Sequence, residues 1–387
     1  MHPTKAASRT TIRRSITTGN CSTNERFAQG GCALKVALDA TPLILTSGGL
    51  PRYVTELSLA LAREYPEDVY QLLSDQPFAI PEGAPPNLVR GRGPHDDVDR
   101  RWWFWGIRQA IARTGAQLFH GTNYEVPYLG NTPAILTIHD LSPWRNRAWH
   151  DSADRVRRRT PWLVRLRRAR MILTVSEAVR REVISFFGVS EHTVRAVPLA
   201  AAPVFRPRLD PNTAPSRPFF LFVGTLEPRK NVAALVEAWW ETREQTGADL
   251  VIAGRCRSDF VPIPEHDGLN LLGEVPDDEL PRLYSDALAF VYPTLYEGFG
   301  LPVLEAMQCG CPVITSNDPA VKEVSGGAAI HADSALELAD AMRSIAAHPR
   351  LREDLRRAGI ARAASFSWPA TARDTRALYA EILGESI

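Results

Sequence analysis

Short apolar runs alternating with stretches of helical spacing, twice over, constrain this chain more than any other feature. Residues 34–39, 69–73, 117–120, 134–138, 171–175 and 194–198 read as strands. Between most of them lie segments, such as Tyr53-Leu57-Leu61 and residues 105–111, whose apolar residues recur at helical intervals. The pattern stops in a proline-rich stretch, residues 202–218, and then restarts. Strands over 219–223, 250–253, 270–272, 289–292 and 313–315 alternate with helices over 232–244, 278–285, 302–309 and 335–346. Such alternation demands a parallel sheet covered on both faces. The expected fold is α/β, with two Rossmann-like doubly wound domains, which also suits 387 residues, too many for one ordinary core.

The boundaries follow from the breaks in the pattern. Residues 34–201 form the N-terminal domain, 202–218 a linker, 219–366 the C-terminal domain and 367–387 a last helical segment, opened by the Phe366-Ser367-Trp368-Pro369 turn. Residues 1–33 hold five basic residues, one acidic residue and nine Ser or Thr. That composition is similar to a transit peptide, without the apolar segment of a secretory signal. The preferred reading is a disordered extension or an overcalled start site.

Doubly wound sheets bind ligands at the carboxyl ends of their strands, and two facing edges make a cleft. The densest signal at such an edge is Tyr292-Pro293-Thr294-Leu295-Tyr296-Glu297-Gly298-Phe299-Gly300-Leu301-Pro302, followed by Glu305. A strand ends, a loop with two glycines follows, and a proline marks a helix start. Free amides in the loop and at the helix N-terminus favour an anion, and Gly298 and Gly300 allow close approach to the backbone. Glu297 and Glu305 flank the loop, the latter placed in the first helical turn. Carboxylates repel phosphate but accept hydrogen bonds from hydroxyls. A diphosphate with a sugar on either side, a nucleotide sugar, satisfies both. At the end of the second half's first strand, Gly224-Thr225-Leu226-Glu227-Pro228-Arg229-Lys230-Asn231 sets two adjacent cations, Arg229 and Lys230, where they can neutralise a diphosphate.

These motifs together resemble a GT-B glycosyltransferase of family 4, the glycosyl transferases group 1, over residues 34–387. Glu297 and Glu305 match its E-x7-E pair, and residues 224–231 match its phosphate loop, with Thr225 where many relatives carry arginine. Gly273-Glu274-Val275-Pro276-Asp277 matches the loop near the base, and Pro319-Ala320-Val321-Lys322-Glu323-Val324 a later segment. The resemblance implies two domains facing a cleft, with the C-terminal helix crossing back to the N-terminal domain. It makes Ser47-Gly48-Gly49-Leu50-Pro51-Arg52-Tyr53 the loop near donor diphosphate and acceptor. His139, in Thr137-Ile138-His139-Asp140, becomes the histidine that contacts the donor sugar. The implied catalytic residues are His139, Glu297, Arg229 and Lys230. The implied donor site is Gly48, Gly49, Arg229, Lys230, Val275, Glu297, Gly298, Phe299, Gly300, Leu301 and Glu305.

The implied reaction is retaining transfer of a hexose from a nucleotide-sugar donor to a saccharide or polyprenyl-linked acceptor, in polysaccharide or O-antigen assembly. His120-Gly121-Thr122-Asn123-Tyr124, with the two motifs around His139 and Lys230, resembles mannosyl- and rhamnosyltransferases, so GDP-mannose is the first donor expected and dTDP-rhamnose the second. A sugar-nucleotide epimerase of the same fold is the alternative. No cofactor or metal is expected. Asp97-Val98-Asp99 has a metal-binding form but follows a polar loop, and Cys309-Gly310-Cys311 lacks histidine partners. Five irregularly spaced cysteines suit a reducing cytosol. A net charge of +1 argues against a nucleic-acid partner. Residues 155–170, however, contain eight arginines among Trp162, Leu163, Val164 and Leu166, and Trp102, Trp103, Phe104 and Trp105 lie together. Basic, aromatic surfaces of this kind lie on anionic membrane, which places the chain in the cytoplasm, peripheral on the inner face of the plasma membrane.

Overall fold

A computed structural model describes residues 33–45, 48–91, 101–150, 153–208, 215–257, 260–261 and 263–384. Residues 1–32, Ser47, the Asp97-Val98-Asp99 segment and residues 209–214 of the linker lie outside the described residues.

The N-terminal lobe runs β1 (Lys35–Asp39), α1 (Gly49–Glu64), β2 (Val69–Leu73), β3 (Leu88–Arg90), α2 (Ile107–Thr114), β4 (Leu118–Gly121), β5 (Ala134–Ile138), α3 (Ser142–Arg145), α4 (Asp154–Arg165), β6 (Met171–Thr174), α5 (Glu177–Phe187) and β7 (Val194–Ala196). Its seven strands lie in the order β3-β2-β1-β4-β5-β6-β7, every pair parallel. The C-terminal lobe runs β8 (Phe219–Val223), α6 (Val232–Thr246), β9 (Asp249–Ala253), β10 (Leu269–Gly273), α7 (Leu280–Asp286), β11 (Ala289–Tyr292), α8 (Leu301–Gln308), β12 (Val313–Thr315), α9 (Pro319–Ser325), β13 (Ile330–His331), α10 (Ala335–Ala347), α11 (Pro349–Ala363) and α12 (Trp368–Leu383). Its six strands lie in the order β10-β9-β8-β11-β12-β13 and are also parallel. Central strands such as β8, Phe-Phe-Leu-Phe-Val, are buried at every residue, as expected where helices cover both faces. In both sheets the strand order reverses beside the first strand, and the crevice opens there.

The last helix crosses back. α12 packs along α1 of the first lobe. The Tyr379 hydroxyl is 2.7 Å from His120 Nδ1, Arg376 Nε donates to the buried Asp68 carboxylate at 2.9 Å, and Thr371 Oγ1 donates to the Pro198 carbonyl at 2.7 Å. The linker is packed at its start: Phe205 is fully buried against Tyr284, ring centroids 6.1 Å apart, and Gln308 Nε2 donates to the carbonyls of Ala202 and Phe205.

Two expectations change. Trp102–Gly106 is a π-helical turn that leads into α2; Trp102 and Trp103 are buried, whereas Phe104 and Trp105 are 42% and 47% exposed. The aromatic cluster is thus half core and half surface. Glu305 falls in the second turn of α8, because the helix begins at Leu301, and it is only 1% exposed. It therefore cannot act as a solvated charge at a helix start.

Candidate active site

The carboxyl edge of the second sheet brings β8 and β11 side by side, and the loops leaving them converge. After β8 the chain makes a tight turn at Pro228–Lys230, ended by Asn231 in the left-handed region, φ 54°. Asparagine tolerates this conformation better than most residues, and α6 starts directly after it. The turn swings Arg229 and Lys230 toward the loop after β11. Lys230 Nζ donates to Glu297 Oε1 at 2.5 Å and also to the Tyr292 hydroxyl. Arg229 Nη1 lies 3.1 Å from the same carboxylate oxygen and donates to the Tyr296 carbonyl at 2.7 Å. The Tyr292 and Thr294 hydroxyls donate to Oε1 at 3.0 and 2.9 Å. Three donors and the Arg229 cation all reach Oε1, which leaves Oε2 as the acceptor for a hydroxyl from outside.

The charges reinforce one another. Burial alone would push the Glu297 carboxyl up, but Arg229 and Lys230 outweigh it and hold it down at about 2. Burial, joined by Arg229, lowers the Lys230 ammonium below its usual value. Arg229 is held well above its ordinary value: its own burial opposes the charge, and Glu297, Asp140 and Glu227 overcome it. Arg229 is shared between Glu297 and Glu227, whose carboxylate accepts from its Nη2 at 2.7 Å, and the cluster stands beside the N-terminus of α8, whose first amides have no carbonyl a turn below them. Those amides, with Arg229 and Lys230, are the donors this edge can offer an anion such as a diphosphate.

Gly298 and Gly300 have different reasons to be glycine. Gly300 has φ 99°, a left-handed conformation at the N-cap of α8. A Cβ on Gly298 would lie 2.0 Å from the carbonyl oxygen of His139 in the other lobe. Gly298 is thus a point of backbone contact across the cleft, and Ser176 Oγ, also from the first lobe, donates to its carbonyl at 2.7 Å. The Phe299 ring is buried edge-on to Phe366, 5.9 Å between centroids, so what Phe299 offers a donor is its amide. Leu301 is buried, and a Cβ on Gly49 would come within 3.9 Å of its Cδ1. Gly48, φ 108°, is the N-cap of α1. The starts of α1 and α8 therefore meet across the cleft. Val275, half-buried, lies in the loop between β10 and α7 and packs on the large apolar core.

Across from this loop, His139 leaves the end of β5. Its Nε2 lies 2.8 Å from the Thr122 carbonyl, an acceptor only, so Nε2 carries the proton. Tyr53 and Tyr124 meet the ring edge-on at 4.9 and 6.0 Å. Burial lowers the imidazole below its usual value, against the Thr122 carbonyl and Asp140, which raise it. A neutral ring with Nδ1 unprotonated results. Tyr124 itself adopts φ 59°, a conformation that costs a bulky residue about 1–3 kcal/mol; its hydroxyl accepts from the Asp140 amide at 3.1 Å. Thr122 Oγ1 in turn donates to the Asp39 carbonyl at 2.8 Å. Burial pushes the Asp39 carboxyl up to about 7, although Thr41 bonds lower it.

Glu305, the other end of the loop, is held from across the cleft. Arg52 Nη1 donates to Glu305 Oε1, and Arg52 Nη2 donates to Asp277 Oδ1 at 2.5 Å. Sequence reasoning gives Arg52 no role, because its partners lie 253 and 225 positions away. It also passes over Tyr296. The Tyr296 hydroxyl accepts from the Leu141 amide at 2.8 Å and donates to Glu182 Oε2 at 2.7 Å, Trp149 stacks on its ring, and Arg145 sits 4.4 Å above it. An aromatic residue directly before Glu297 was the one signal available. Among the described residues no group of three or more His, Cys, Asp or Glu side chains could hold a metal ion.

The chain matches the family model of glycosyl transferases group 1 over residues 208–362 and that of glycosyltransferase family 4 over residues 47–201. It is 36% identical over 278 residues to O-antigen chain mannosyltransferase B of Escherichia coli, covering 65% of this chain and 71% of that relative. Its fold is similar to that of the sucrose-phosphate synthase from Thermosynechococcus elongatus, with a TM-score of 0.71 at 20% identity over 91% of this chain and 99% of that one. It is also similar to Anabaena Alr3699/HepE, solved in complex with UDP-glucose, with a TM-score of 0.66 at 14% identity over 90% of this chain and 100% of that one.

Proposed function

The chain belongs to glycosyltransferase family 4, the glycosyl transferases group 1, and from that premise we propose that it is a retaining hexosyltransferase that uses a nucleotide-sugar donor. The observation that carries the reading is the Lys230–Glu297–Arg229 cluster beside the start of α8, facing His139 across Gly298. The name of the Escherichia coli relative favours mannose, hence GDP-mannose, and an O-antigen or other polysaccharide product; dTDP-rhamnose is the second candidate. HepE, solved with UDP-glucose, supports a nucleotide sugar as the donor class.

In this reading the bond from the anomeric carbon to the diphosphate breaks while an acceptor hydroxyl attacks from the same face. The hydroxyl proton passes to the departing phosphate oxygen. Arg229, Lys230 and the α8 amides stabilise the leaving charge. Glu297 Oε2 accepts from a sugar hydroxyl, and His139 contacts the sugar from the other lobe, so the two sides position donor and acceptor. Because fixed cations meet the diphosphate, transfer proceeds without a divalent ion, and rates in excess EDTA match those without it. Nothing in the site favours an epimerase, which needs an acid and base pair at the sugar, whereas Glu297 is locked ionised between two cations.

The acceptor is a saccharide or polyprenyl-linked saccharide, and the chain works in the cytoplasm, at the inner face of the plasma membrane. Among the described residues no helix is long and apolar enough to cross a membrane. Phe104 and Trp162 both lean on Tyr128, with centroids 4.9 and 6.1 Å away. Trp105, Leu166 and exposed Arg158 and Arg165 extend this face. It suits anionic lipid. Flotation with anionic liposomes tests it, and protein left at the bottom of the gradient overturns it. For the donor, thermal shift across GDP-, dTDP- and UDP-sugars identifies the ligand that stabilises most. NMR of the product then reads its anomeric configuration, and inversion would reject the retaining assignment.

A further inference from the structure

Arg52 lies one turn into α1, directly behind the glycines that face α8. Its side chain is 12% exposed and reaches out of its own lobe to two carboxylates of the other, Glu305 and Asp277. Its guanidinium carbon sits 5.1 Å from the centroid of the buried Phe205 ring. Its Nε is buried and, among the described residues, has no hydrogen-bond partner. An arginine this buried needs a reason, because surface position would cost it nothing in desolvation.

The reason lies in Glu305. That side chain is 1% exposed. The charged and titratable groups that face it are Arg52 from α1, Asp277 from the loop before α7, Tyr284 from α7 and Cys309 at the end of its own helix. Of these only Arg52 is a cation. Burial raises the Glu305 carboxyl above its usual value and Asp277 adds to the rise, while Arg52 works against both. A buried carboxyl without its cation takes a proton, which turns one oxygen into a donor and leaves a neutral, weaker acceptor for a hydroxyl. Asp277 lies two residues beyond Val275 in the loop assigned to the donor's base.

We infer that Arg52 is a positioning residue of the nucleoside pocket, which keeps Glu305 ionised and aimed at the donor's hydroxyls and ties donor affinity to apposition of the two lobes. The inference rests on the reading that Glu305 accepts from those hydroxyls. Arg52 touches one carboxylate on α8 and one in the loop before α7, and reaches both only while α1 faces α8. The donor half-site is thus incomplete within the C-terminal lobe, and the first lobe completes it.

The test is calorimetric binding of GDP, dTDP and UDP to the full chain at pH 6 and pH 8.5, for wild type, Arg52→Gln, Arg52→Lys, Asp277→Asn and Glu305→Gln. For the nucleotide that binds, Arg52→Gln weakens affinity at least about tenfold at pH 6, and most of the loss returns at pH 8.5, where Glu305 ionises without help. Arg52→Lys stays within about threefold of wild type at both values, since the charge is kept. Steady-state rates show the loss in the donor KM and not in kcat. Affinity equal to or above wild type in Arg52→Gln overturns the inference, as does a loss that ignores pH, which marks packing alone. Asp277→Asn supplies a second route if Arg52→Gln does not fold: removing the competing carboxylate makes binding at pH 6 tighter than in wild type, and weaker binding there overturns the inference. Unchanged binding in Glu305→Gln rejects the reading of Glu305 itself; weakened binding there with unchanged binding in Arg52→Gln rejects only the role of Arg52.

Discussion

Glu297 and Glu305 stand eight positions apart on one loop and are both buried, yet they are neutralised in opposite ways. Glu297 draws its cations from its own lobe, from the turn after β8, and stays ionised far into acid. Glu305 has one cation, borrowed from the other lobe, and burial still holds its carboxyl above the usual value. One end of the loop is thus neutralised within the C-terminal lobe alone, and the other only through a cation of the N-terminal lobe.

The largest expected effect comes from breaking the self-contained end. Lys230→Ala or Glu297→Ala lowers kcat/KM for the true donor by about 10³-fold or more, with circular dichroism unchanged; wild-type rates in either would reject the site. Next comes the contact that keeps both ends in register. Gly298→Ala drives a methyl into the His139 carbonyl, and a misplacement of this kind costs about 10²-fold in rate. A loss below twofold would show that the lobes part without consequence. Tyr296→Phe removes one hydroxyl from Leu141 and Glu182, which costs about 1–3 kcal/mol if the buried partners stay unpaired, read as a lower melting temperature.

The smallest effects are read in the pH dependence of stability, where Glu297 and the buried Asp39 of β1 act oppositely. Glu297 has a depressed folded value of about 2, so the stability it contributes is present above the unfolded carboxyl value and is lost only as pH falls from that value toward 2. Asp39 goes the other way. Its folded value of about 7 exceeds the unfolded one, so the folded state holds the extra proton and stability declines as pH rises from the ordinary carboxyl range to about 7. Asp39→Asn flattens that decline in thermal unfolding between pH 5 and 8. An unchanged slope would show that Asp39 ionises freely.

What the sequence made legible follows the range of the contacts involved. Strands 219–223, 289–292 and 313–315 were readable to the residue, because strands buried on both faces are apolar throughout. The margins were not. β3 and β13 have three and two residues, too few to show a period, and β13 is only half-buried. β10 was found, although Leu271 and Leu272 are 51% and 46% exposed at the sheet edge. α11 carries many arginines and buries only Gly359 and Ala363, so its apolar stripe is faint. In the site, Arg229, Lys230 and Glu297 come from two local motifs, and the family pattern named them together. Arg52 and the Gly298–His139 contact depend on which lobe faces which, and no local spacing encodes that.

The crossing of α12 has a consequence for the order in which this molecule can be made. The helix supplies Tyr379 to His120 and Arg376 to Asp68, both inside the first lobe. A ribosome delivers residues 35–196 long before residues 368–383. The lobe begun first is therefore finished last, after the whole second sheet has been delivered, and until then Asp68 lacks its Arg376 cation and His120 its Tyr379 hydroxyl, with the Leu34 amide, Tyr70 and Thr137 of their own lobe to bond them. In assembly terms the C-terminal lobe is an insertion within the N-terminal one.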